Sequence, residues 1–241
     1  RRGLWLVCFA VASSVAVGSG GSNEGTSVWR YTVRPGDTLI ALAERYLGQV
    51  GQWKVVQELN DVEDPYRLLP GTVLRIPVAL LRRVPAVATI EVSSGVVRWR
   101  RGGGEWQPVV RGQRLIAGST LQTLDDASAL VRLADGSTLL LSPNSQLEFE
   151  SLAADAGGVR SEARLRLQQG QSEVRVNPAR RAPARLQIQT PAAQAVVRGT
   201  VFRLRADEDL TREETLRGLV GVQAGGGGVS VGRGMGTVAR M

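Results

Sequence analysis

Alternation of apolar and polar residues dominates the chain from Thr89 onward. Two examples are the runs ALVRLADGSTLLL (129–141) and ARLRLQQGQSEVRV (163–176). Successive side chains of a strand point to opposite faces, so this period predicts half-buried strands. The Asp135-Gly136 pair is a strong hairpin signal, and turn residues recur at a spacing of roughly 8–12 residues. Because no helix-length periodic stretch interrupts the runs, residues 89–241 are predicted to form an all-β sandwich or roll.

Residues 28–78 carry a different pattern, with helical periodicity between two short strands. The first strand ends at Val33, Pro35-Gly36 turns the chain, and Asp37 or Thr38 can cap a helix. Apolar residues then recur at helical spacing in two stretches: Leu39, Leu42, Ala43, Tyr46 and Leu47, then Trp53, Val56 and Leu59. The predicted fold class is therefore α+β, a small βααβ domain (28–78) followed by the larger all-β domain (89–241). Residues 79–88 between them are predicted to be a linker, either stiff or docked as a strand.

The first 27 residues resemble an export signal followed by a spacer. Arg1 and Arg2 precede an apolar run from Leu4 to about Ala12, and small residues follow. This order predicts a secretory signal peptide over residues 1–18 and a Gly/Ser linker over 19–27. The apolar run is shorter than the roughly 20 residues of a membrane span, although retention as an N-terminal anchor is the alternative. Any membrane contact is expected only through this segment. The missing initial methionine and the end at GTVARM lead us to expect a fragment of a longer protein.

The composition excludes most familiar catalytic sites. The chain has no histidine, which excludes Ser-His-Asp triads, Cys-His dyads and the common zinc and non-haem iron sites. The single cysteine, Cys8, excludes internal disulfides and thiolate metal clusters. We therefore expect no enzyme, no cofactor and no metal. The enzymatic alternative, a glycan hydrolase using Glu44 and Glu58, would place both carboxylates on surface faces of a domain without a deep cleft.

The formal net charge of +8 is spread along the large domain. Residues 28–78 hold six basic and six acidic residues, whereas 79–241 hold 22 basic and 15 acidic ones. Most of those arginines alternate with apolar residues, which places them on the solvated faces of strands. The one local cluster, ARRAPAR (179–185), has no interleaved aromatic residue for base stacking. No nucleic-acid partner is therefore expected.

Three pieces of the small domain carry a resemblance to a known family: PGDTL (35–39), Leu59-Asn60 and LPGTVLRIP (69–77). In this order and spacing they resemble the LysM (lysin-motif) domain, over about Val28 to Val78. The resemblance implies two helices stacked on one side of a two-stranded antiparallel sheet. It also implies non-catalytic binding of N-acetylglucosamine-containing glycans, mostly peptidoglycan.

In that family the sugar lies in a shallow groove between the loop after the first strand and the loop before the second. By matched position, the resemblance implies these glycan-binding residues: Gly36, Asp37, Thr38 and Leu39 in the first loop, and Arg67, Leu68, Leu69, Pro70 and Gly71 in the second. The residues themselves also allow Asp37 and Thr38 to be only caps and Leu39 to be only core. Segments 48–52 and 60–67 are longer than in the shortest members, which leaves the groove shape open.

The large domain carries a second resemblance. The segment TPAAQAVVRGTVF (190–202), supported by AGSTLQTLDDASALVRLADGSTLLLSPNSQLEF (117–149), resembles the periplasmic domain of the FecR (ferric-citrate regulator) family over about 117–223. The resemblance implies a β domain of a secreted compartment, used for protein contact and signal relay. Its founding members add a cytoplasmic anti-sigma segment and a transmembrane helix. For Thr190-Pro191 and Arg198-Gly199-Thr200, we predict structural roles.

Together these features predict a secreted, non-enzymatic protein of the periplasm or cell envelope. Its LysM-like module would bind peptidoglycan, and its β domain would contact another envelope protein or a glycan. The alternative is a sensor or regulator domain in FecR-type transmembrane signalling.

Overall fold

The computed structural model of the protein describes residues 27–178 and 185–240. Of these residues 55% are in strands and 10% in helices, and the helices lie near the N-terminal end of the described chain. The larger predicted class, a mostly β protein with a small helical part, is therefore correct. The predicted signal peptide (1–18), most of the linker (19–27) and most of the basic cluster (179–185) lie outside the described residues.

The small unit consists of two strands and two α-helices. In chain order they are β1 (Val28–Thr32), α1 (Leu39–Tyr46), α2 (Trp53–Leu59) and β2 (Val73–Pro77). A 3-10 helix, Val50–Gln52, precedes α2 directly. Strands β1 and β2 are antiparallel, with Val28 opposite Pro77 at one end and Thr32 opposite Val73 at the other. The sequence pattern did not reveal the 3-10 turn, because its three residues include no buried side chain.

Eleven buried residues form the core of the small unit, among the described residues: Tyr31, Val33, Leu39, Leu42, Ala43, Leu47, Val56, Leu74, Ile76, Val78 and Leu81. Tyr31, Leu74 and Ile76 come from one face of the two strands, because alternate residues of a strand share a face. The apolar stripes of α1 and α2 cover that face. The core therefore lies between one layer of helices and one small sheet.

Asn60 ties the end of α2 to strand β2. Its side-chain amide donates to the carbonyls of Val56, at 2.7 Å, and Arg75, at 2.9 Å, and its oxygen accepts from the Arg75 amide at 2.7 Å. One side chain thus satisfies backbone groups at a helix end and along a strand. Asn60, one of the residues that carry the family resemblance, has a structural role here.

The large unit is an extensive network of strands. They are β3 (Arg83–Pro85), β4 (Ala88–Ser94), β5 (Val97–Arg101), β6 (Gln107–Pro108), β7 (Arg114–Leu115), β8 (Ser119–Thr123), β9 (Ser128–Arg132), β10 (Thr138–Leu141), β11 (Ser145–Asp155), β12 (Ser161–Arg175), β13 (Arg185–Gln189), β14 (Gln194–Ala206), β15 (Leu210–Ala224), β16 (Gly227–Gly232) and β17 (Met235–Arg240). The main path of hydrogen-bonded neighbours runs β16-β15-β14-β13-β12-β10-β9-β4-β7. A branch leaves β12 through β11 and β8 to β5 and β6.

Long strands that change partners make the sheet roll onto itself. The first half of β12 pairs with β11 and, in parallel, with β13, whereas its second half pairs with β10 and β14. Both branches contribute to one cluster of 29 buried apolar residues within the described chain, including Phe149 from one branch and Leu139 from the other. The Asp135-Gly136 hairpin predicted from the sequence joins β9 to β10, with Gly136 at φ +83°.

The segment that joins the two units is structured. After the 3-10 helix Val78–Leu80, Leu81 makes an isolated bridge to Leu47, and β3 pairs with the end of β11. Residues 79–88 thus include a strand docked on the large sheet, and β4 begins at Ala88.

The hairpin between β11 and β12 contacts the small unit. An ideal Cβ on Gly157 would lie 2.9 Å from Cδ2 of the Trp29 indole, so the ring lies flat against the hairpin backbone. Arg160 donates to the Val78 carbonyl at 2.9 Å and pairs with the buried Asp155 at 2.9 Å. This junction joins the two units through side-chain packing and hydrogen bonds.

In the described chain, no helix has the length and apolar character required to cross a membrane.

Candidate functional site

Two Pro-Gly turns dominate the surface of the small unit at one end of its sheet. In the first, the Arg34 carbonyl accepts from the Asp37 amide at 3.1 Å, and Gly36 has φ +83°. In the second, the Leu69 carbonyl accepts from the Thr72 amide at 3.2 Å, and Gly71 has φ +89°. Proline followed by a glycine of positive φ is the signature of a type II turn. The same local sequence therefore folds the same way twice.

The two turns lie side by side, because the second turn is hydrogen-bonded to Val33, the residue directly before the first turn. The Val33 amide donates to the Thr72 carbonyl at 2.8 Å, and the Gly71 amide donates to the Val33 carbonyl at 2.9 Å. An ideal Cβ on Gly36 or Gly71 would have no atom within 4 Å, so both turns open to solvent. The two predicted loops thus meet at one surface.

Asp37 and Thr38 are hydrogen-bonded within the first turn. The Asp37 carboxylate accepts from the Tyr31 hydroxyl at 2.7 Å and from the Arg34 amide at 2.8 Å. Thr38 is the N-cap of α1, and its hydroxyl accepts from the Ala41 amide at 3.1 Å. Burial, together with the hydrogen bond to Asp37, raises the pKa of Tyr31 to about 12. Thr38 is therefore the cap of α1, whereas the Asp37 carboxylate closes the turn before the helix, and both residues are partly exposed.

Leu39 lies in the core with 1% of its surface exposed, so its side chain faces α2 and the sheet and not the surface. Its amide donates to the Pro65 carbonyl at 2.8 Å, which places the second loop against the start of α1. Two donors of the first helical turn, those of Leu39 and Ala41, are therefore used internally. An interacting ligand would have to use the turns themselves more than the helix start.

The second loop supplies the exposed apolar surface. Leu69 is 77% exposed and Tyr66 is 66% exposed, whereas Leu68 packs against the small core. Arg67 is exposed, and its amide donates to the Asp64 carbonyl at 3.2 Å. Of the two leucines considered as an apolar wall, only Leu69 faces solvent.

Tyr66 was not among the predicted site residues. It directly follows Pro65, whose carbonyl accepts from the Leu39 amide at the start of α1, and its side chain is exposed. An exposed aromatic residue inside a loop rich in turn formers was the available signal. Exposed aromatic rings pack well against sugar rings, because the faces of both are apolar.

The predicted site residues thus belong to one region, in which some are exposed at the surface and others are buried beneath it. Gly36, Pro70 and Gly71 make up the exposed turn backbone, with Asp37 and Thr38 beside them. Arg67 and Leu69 are exposed to solvent. Leu39 belongs to the core of the small unit, and Leu68 packs against that core. Such a surface offers peptide groups for hydrogen bonds next to an apolar wall.

Of the residues singled out in the large unit, Thr190 has hydrogen-bond partners within its own turn. The Thr190 hydroxyl accepts from the Ala193 amide at 3.0 Å and donates to its carbonyl at 2.8 Å, which closes the turn before β14. Thr200 is buried. The side chains of Arg198 and Gly199 lie outside the described part. Between residues 27 and 240, apart from 179–184, no group of three His, Cys, Asp or Glu residues is placed to hold a metal ion.

Two family models match the chain in the order predicted. Residues 31–77 match the LysM domain, and residues 119–221 match the FecR protein family. An uncharacterized protein of Deinococcus radiodurans is 40% identical over 55 residues, which cover 23% of this chain and 22% of that relative. The match therefore spans less than a quarter of the curated relative.

Two crystal structures of a candidate anti-sigma factor from Parabacteroides distasonis are similar to part of the chain. Their TM-scores are 0.41 and 0.40, with 15% and 16% sequence identity. Each similarity covers 50% of this chain and 54% of the solved chain.

Proposed function

We propose that this chain, in which a LysM domain precedes a FecR-type β domain, is a non-enzymatic protein of the bacterial periplasm or cell envelope that binds peptidoglycan. The glycan would bind to the two Pro-Gly turns of the small unit. LysM domains bind N-acetylglucosamine glycans such as peptidoglycan. The observation that carries the proposal is the meeting of both turns at Val33, with an open surface above them.

The surface suits an acetamido sugar. Such a sugar needs a few hydrogen-bonding groups and an apolar wall for its methyl group and ring face. The turn backbone at Gly36 and Gly71 is accessible, because neither glycine has an atom near its Cβ position. Leu69 and Tyr66 supply the wall. Because Asp37 and Thr38 are already hydrogen-bonded within the turn, their proposed role is to hold its shape as well as to contact the sugar.

One small exposed surface supports only weak binding. The apolar contact is limited to two exposed side chains, so a large part of the sugar would stay solvated. Repeated sugars along a glycan strand, or a second tether to the envelope, would raise the residence of the protein on the wall.

Cosedimentation of the full chain with purified peptidoglycan sacculi tests the proposal. The assay is run near physiological salt, where the Debye length is about 8 Å and diffuse attraction by the net charge is reduced. We expect the wild-type chain to pellet, and soluble N-acetylglucosamine oligomers to release it. We expect the Tyr66→Ala/Leu69→Ala double variant to bind about tenfold more weakly, since it loses the apolar wall.

Val28→Ala is the matched control. Val28 is 41% exposed and lies at the opposite end of the two-stranded sheet, across from Pro77. The Val28→Ala substitution removes exposed apolar surface but leaves the two turns unchanged, so binding to sacculi should be unchanged. A wild-type chain that stays in the supernatant, or a double variant that pellets as well as Val28→Ala, would contradict the proposal.

The proposal includes the absence of catalysis. The one carboxylate pair considered for glycan hydrolysis, Glu44 and Glu58, consists of two exposed side chains on α1 and α2. Neither lies in an apolar pocket of the kind that surrounds the general acid of a glycosidase. Zymography on peptidoglycan should show no clearing by the full chain, and a cleared band would refute this part.

A regulator-type role of the β domain is the second candidate, and the FecR match over residues 119–221 favours it. In that case the large sheet would bind a signalling partner protein while the small unit bound the wall. Crosslinking of the full-length gene product in cells, followed by identification of the partner, tests this role. Recovery of only wall fragments would favour the anchoring role alone.

A further inference from the structure

Two arginines of strand β5 are packed on one indole ring. The guanidinium carbon of Arg98 lies 4.9 Å from the centroid of the Trp106 ring, and that of Arg100 lies 4.4 Å from it. Both arginines project from the same face of β5, because they are two residues apart. A cation over an aromatic face is attracted by the ring quadrupole, so the indole holds both guanidinium groups in place.

Arg98 and Arg100 differ from the other arginines of the described chain. Only these two and Arg160 are half-buried, and all other described arginines are exposed. Arg160 has a buried carboxylate partner, Asp155, at 2.9 Å. Within residues 27–178 and 185–240, neither Arg98 nor Arg100 makes an ion pair, and the nearby Glu105 is exposed and pairs with neither.

The hydrogen-bonding capacity of the pair is only partly used. The Nε atom of Arg98 donates to Oε1 of Gln122, on the neighbouring strand β8, at 2.8 Å. The Nε atom of Arg100 is buried and has no hydrogen-bond acceptor in the described structure. Partly burying a cation without a counter-charge is costly, and a second cation beside it adds repulsion. An anion at this place would relieve both costs.

From these contacts we propose that Arg98, Arg100 and Trp106 form a binding site for an acidic polymer chain that carries carboxylate or phosphate groups. The guanidinium carbons lie 4.9 and 4.4 Å from one ring centroid, so the two groups present closely spaced positive charges that suit neighbouring anionic groups of one chain. The planar guanidinium fork recognises carboxylate and phosphate oxygens equally well. The ring of Trp106 is already packed against both guanidinium groups, which disfavours base stacking on it and hence a nucleic acid.

The site consists only of residues of the large unit, on strand β5, which pairs with β6 and β8, and in the loop that follows β5. It is therefore independent of glycan binding at the two turns. If the proposed function holds as well, the chain has one surface for neutral amino sugar and another for acidic polymer.

Titration of the full chain with three labelled probes at physiological salt tests this proposal. The probes are oligogalacturonate, which carries carboxylates, linear polyphosphate, and oligodeoxythymidylate of matched charge. We expect binding of the first, the second or both, which identifies the source of the anion, and weaker binding of the third. Absence of binding by both acidic polymers, or tightest binding by the oligonucleotide, would overturn the proposal.

The decisive comparison uses two double variants that each remove two positive charges. Arg98→Gln/Arg100→Gln should weaken binding at least tenfold. Arg217→Gln/Arg233→Gln removes two exposed arginines that make no ion pair in the described chain, and it should change affinity less than twofold. Equal losses in both doubles would show that binding follows net charge alone, against the site.

A measurement on the wild-type chain covers the case in which a variant fails to fold. Nuclear magnetic resonance resolves the Nε–H groups of arginines, and those of Arg98 and Arg100 should shift on addition of the acidic probe. Because the buried Nε–H of Arg100 lacks an acceptor, its signal should move further than that of an exposed arginine such as Arg217. Unchanged Arg98 and Arg100 signals at saturation would refute the site.

Discussion

The small unit and the large sheet treat their buried polar groups differently. In the small unit Tyr31 is 5% exposed, and its hydroxyl is fully engaged with Asp37 at 2.7 Å. In the large sheet Glu213, Ser172 and Thr200 each bury a side-chain oxygen that has no hydrogen-bond partner in the described structure. A buried polar atom without a partner costs about 1–3 kcal/mol.

Core size explains why the large sheet can bear that cost. Its cluster has 29 buried apolar residues against 11 in the small unit, counted over the described chain. Burial of apolar surface is the main favourable term in folding, so the larger core has the greater margin. A unit as small as residues 28–77 has little margin, and it depends on satisfied turns, a capped helix and its contact with the hairpin at Gly157. The two units should therefore respond differently to destabilising substitutions, and each can unfold by its own route.

Truncating one buried leucine in each core should give the largest effects. Leu147→Ala and Leu74→Ala remove the same atoms from sites that are 0% and 1% exposed, and each should cost about 2–5 kcal/mol. Leu74→Ala should open the small unit while the large sheet stays folded, because the sheet has its own core. Leu147→Ala should weaken both, because the small unit rests on the β11–β12 hairpin.

Hydrogen exchange followed by mass spectrometry separates these outcomes, since peptides from 28–77 and from 119–221 report on each unit. If Leu74→Ala raised exchange equally in both sets of peptides, the two cores would be one cooperative unit and the comparison would fail.

Filling the space at Gly157 should give the next largest effect. A Cβ there would lie 2.9 to 3.1 Å from three atoms of the Trp29 ring, so Gly157→Val must displace the indole and should cost about 1–3 kcal/mol. The loss should appear as earlier thermal unfolding of the small unit, followed by Trp fluorescence. Gly103→Val is the control, because an ideal Cβ on Gly103 meets nothing within 4 Å. Equal effects of both variants would mean that the junction adds no stability.

Removing the Tyr31 hydroxyl should cost about 1 kcal/mol near neutral pH, the usual net value of one hydrogen bond. The pKa of Tyr31 is raised by burial to about 12, above its ordinary value near 10. Its contribution is therefore complete below about pH 10 and is lost as the pH rises toward 12. Chemical denaturation of wild type and Tyr31→Phe across pH 8 to 11.5 should show the two stabilities converging. A constant difference would contradict this assignment.

Glu213→Gln should give the smallest effect, and its sign depends on pH. Burial is the main cause that raises the pKa of Glu213, the adjacent Glu214 charge also raises it, and the hydrogen bond from Thr215 opposes both. A raised pKa in the folded state means that the wild type loses stability as the pH rises above the ordinary glutamate range. The difference in melting temperature should therefore move in favour of Glu213→Gln between pH 4 and 8. Parallel melting curves at all pH values would contradict this.

Local patterns sufficed for the parts of the fold whose cause is local. Alternation predicted the large β unit, and Asp135-Gly136 predicted its hairpin, because both signals lie within a few residues. The Pro-Gly pairs at 35–36 and 70–71 likewise predicted two turns. That the turns meet was expected from the family resemblance, and the bonds of Val33 supply the physical reason.

Contacts distant in sequence could not be predicted. The indole of Trp29 and the backbone of Gly157 have no shared local signal, since the fold alone brings them together. Helical spacing could not decide between a core and a surface role for Leu39, because a residue at the helix start belongs to the stripe and to the loop. Tyr66 was missed for a related reason. Its proposed role in sugar binding depends on exposure of its side chain, whereas hydrophobic periodicity in a sequence indicates which residues are buried.

The docked strand β3 has a mechanical consequence. Strand β2 ends at Pro77, β3 begins at Arg83, and the backbone of Arg82 bonds Tyr46 on one side and Ala156 on the other. Tension applied at the turns would therefore pass into the large sheet through these few backbone hydrogen bonds, which would be loaded in shear. A force that holds the small unit at its turns would therefore reach the large sheet directly, because no flexible linker has to be extended first.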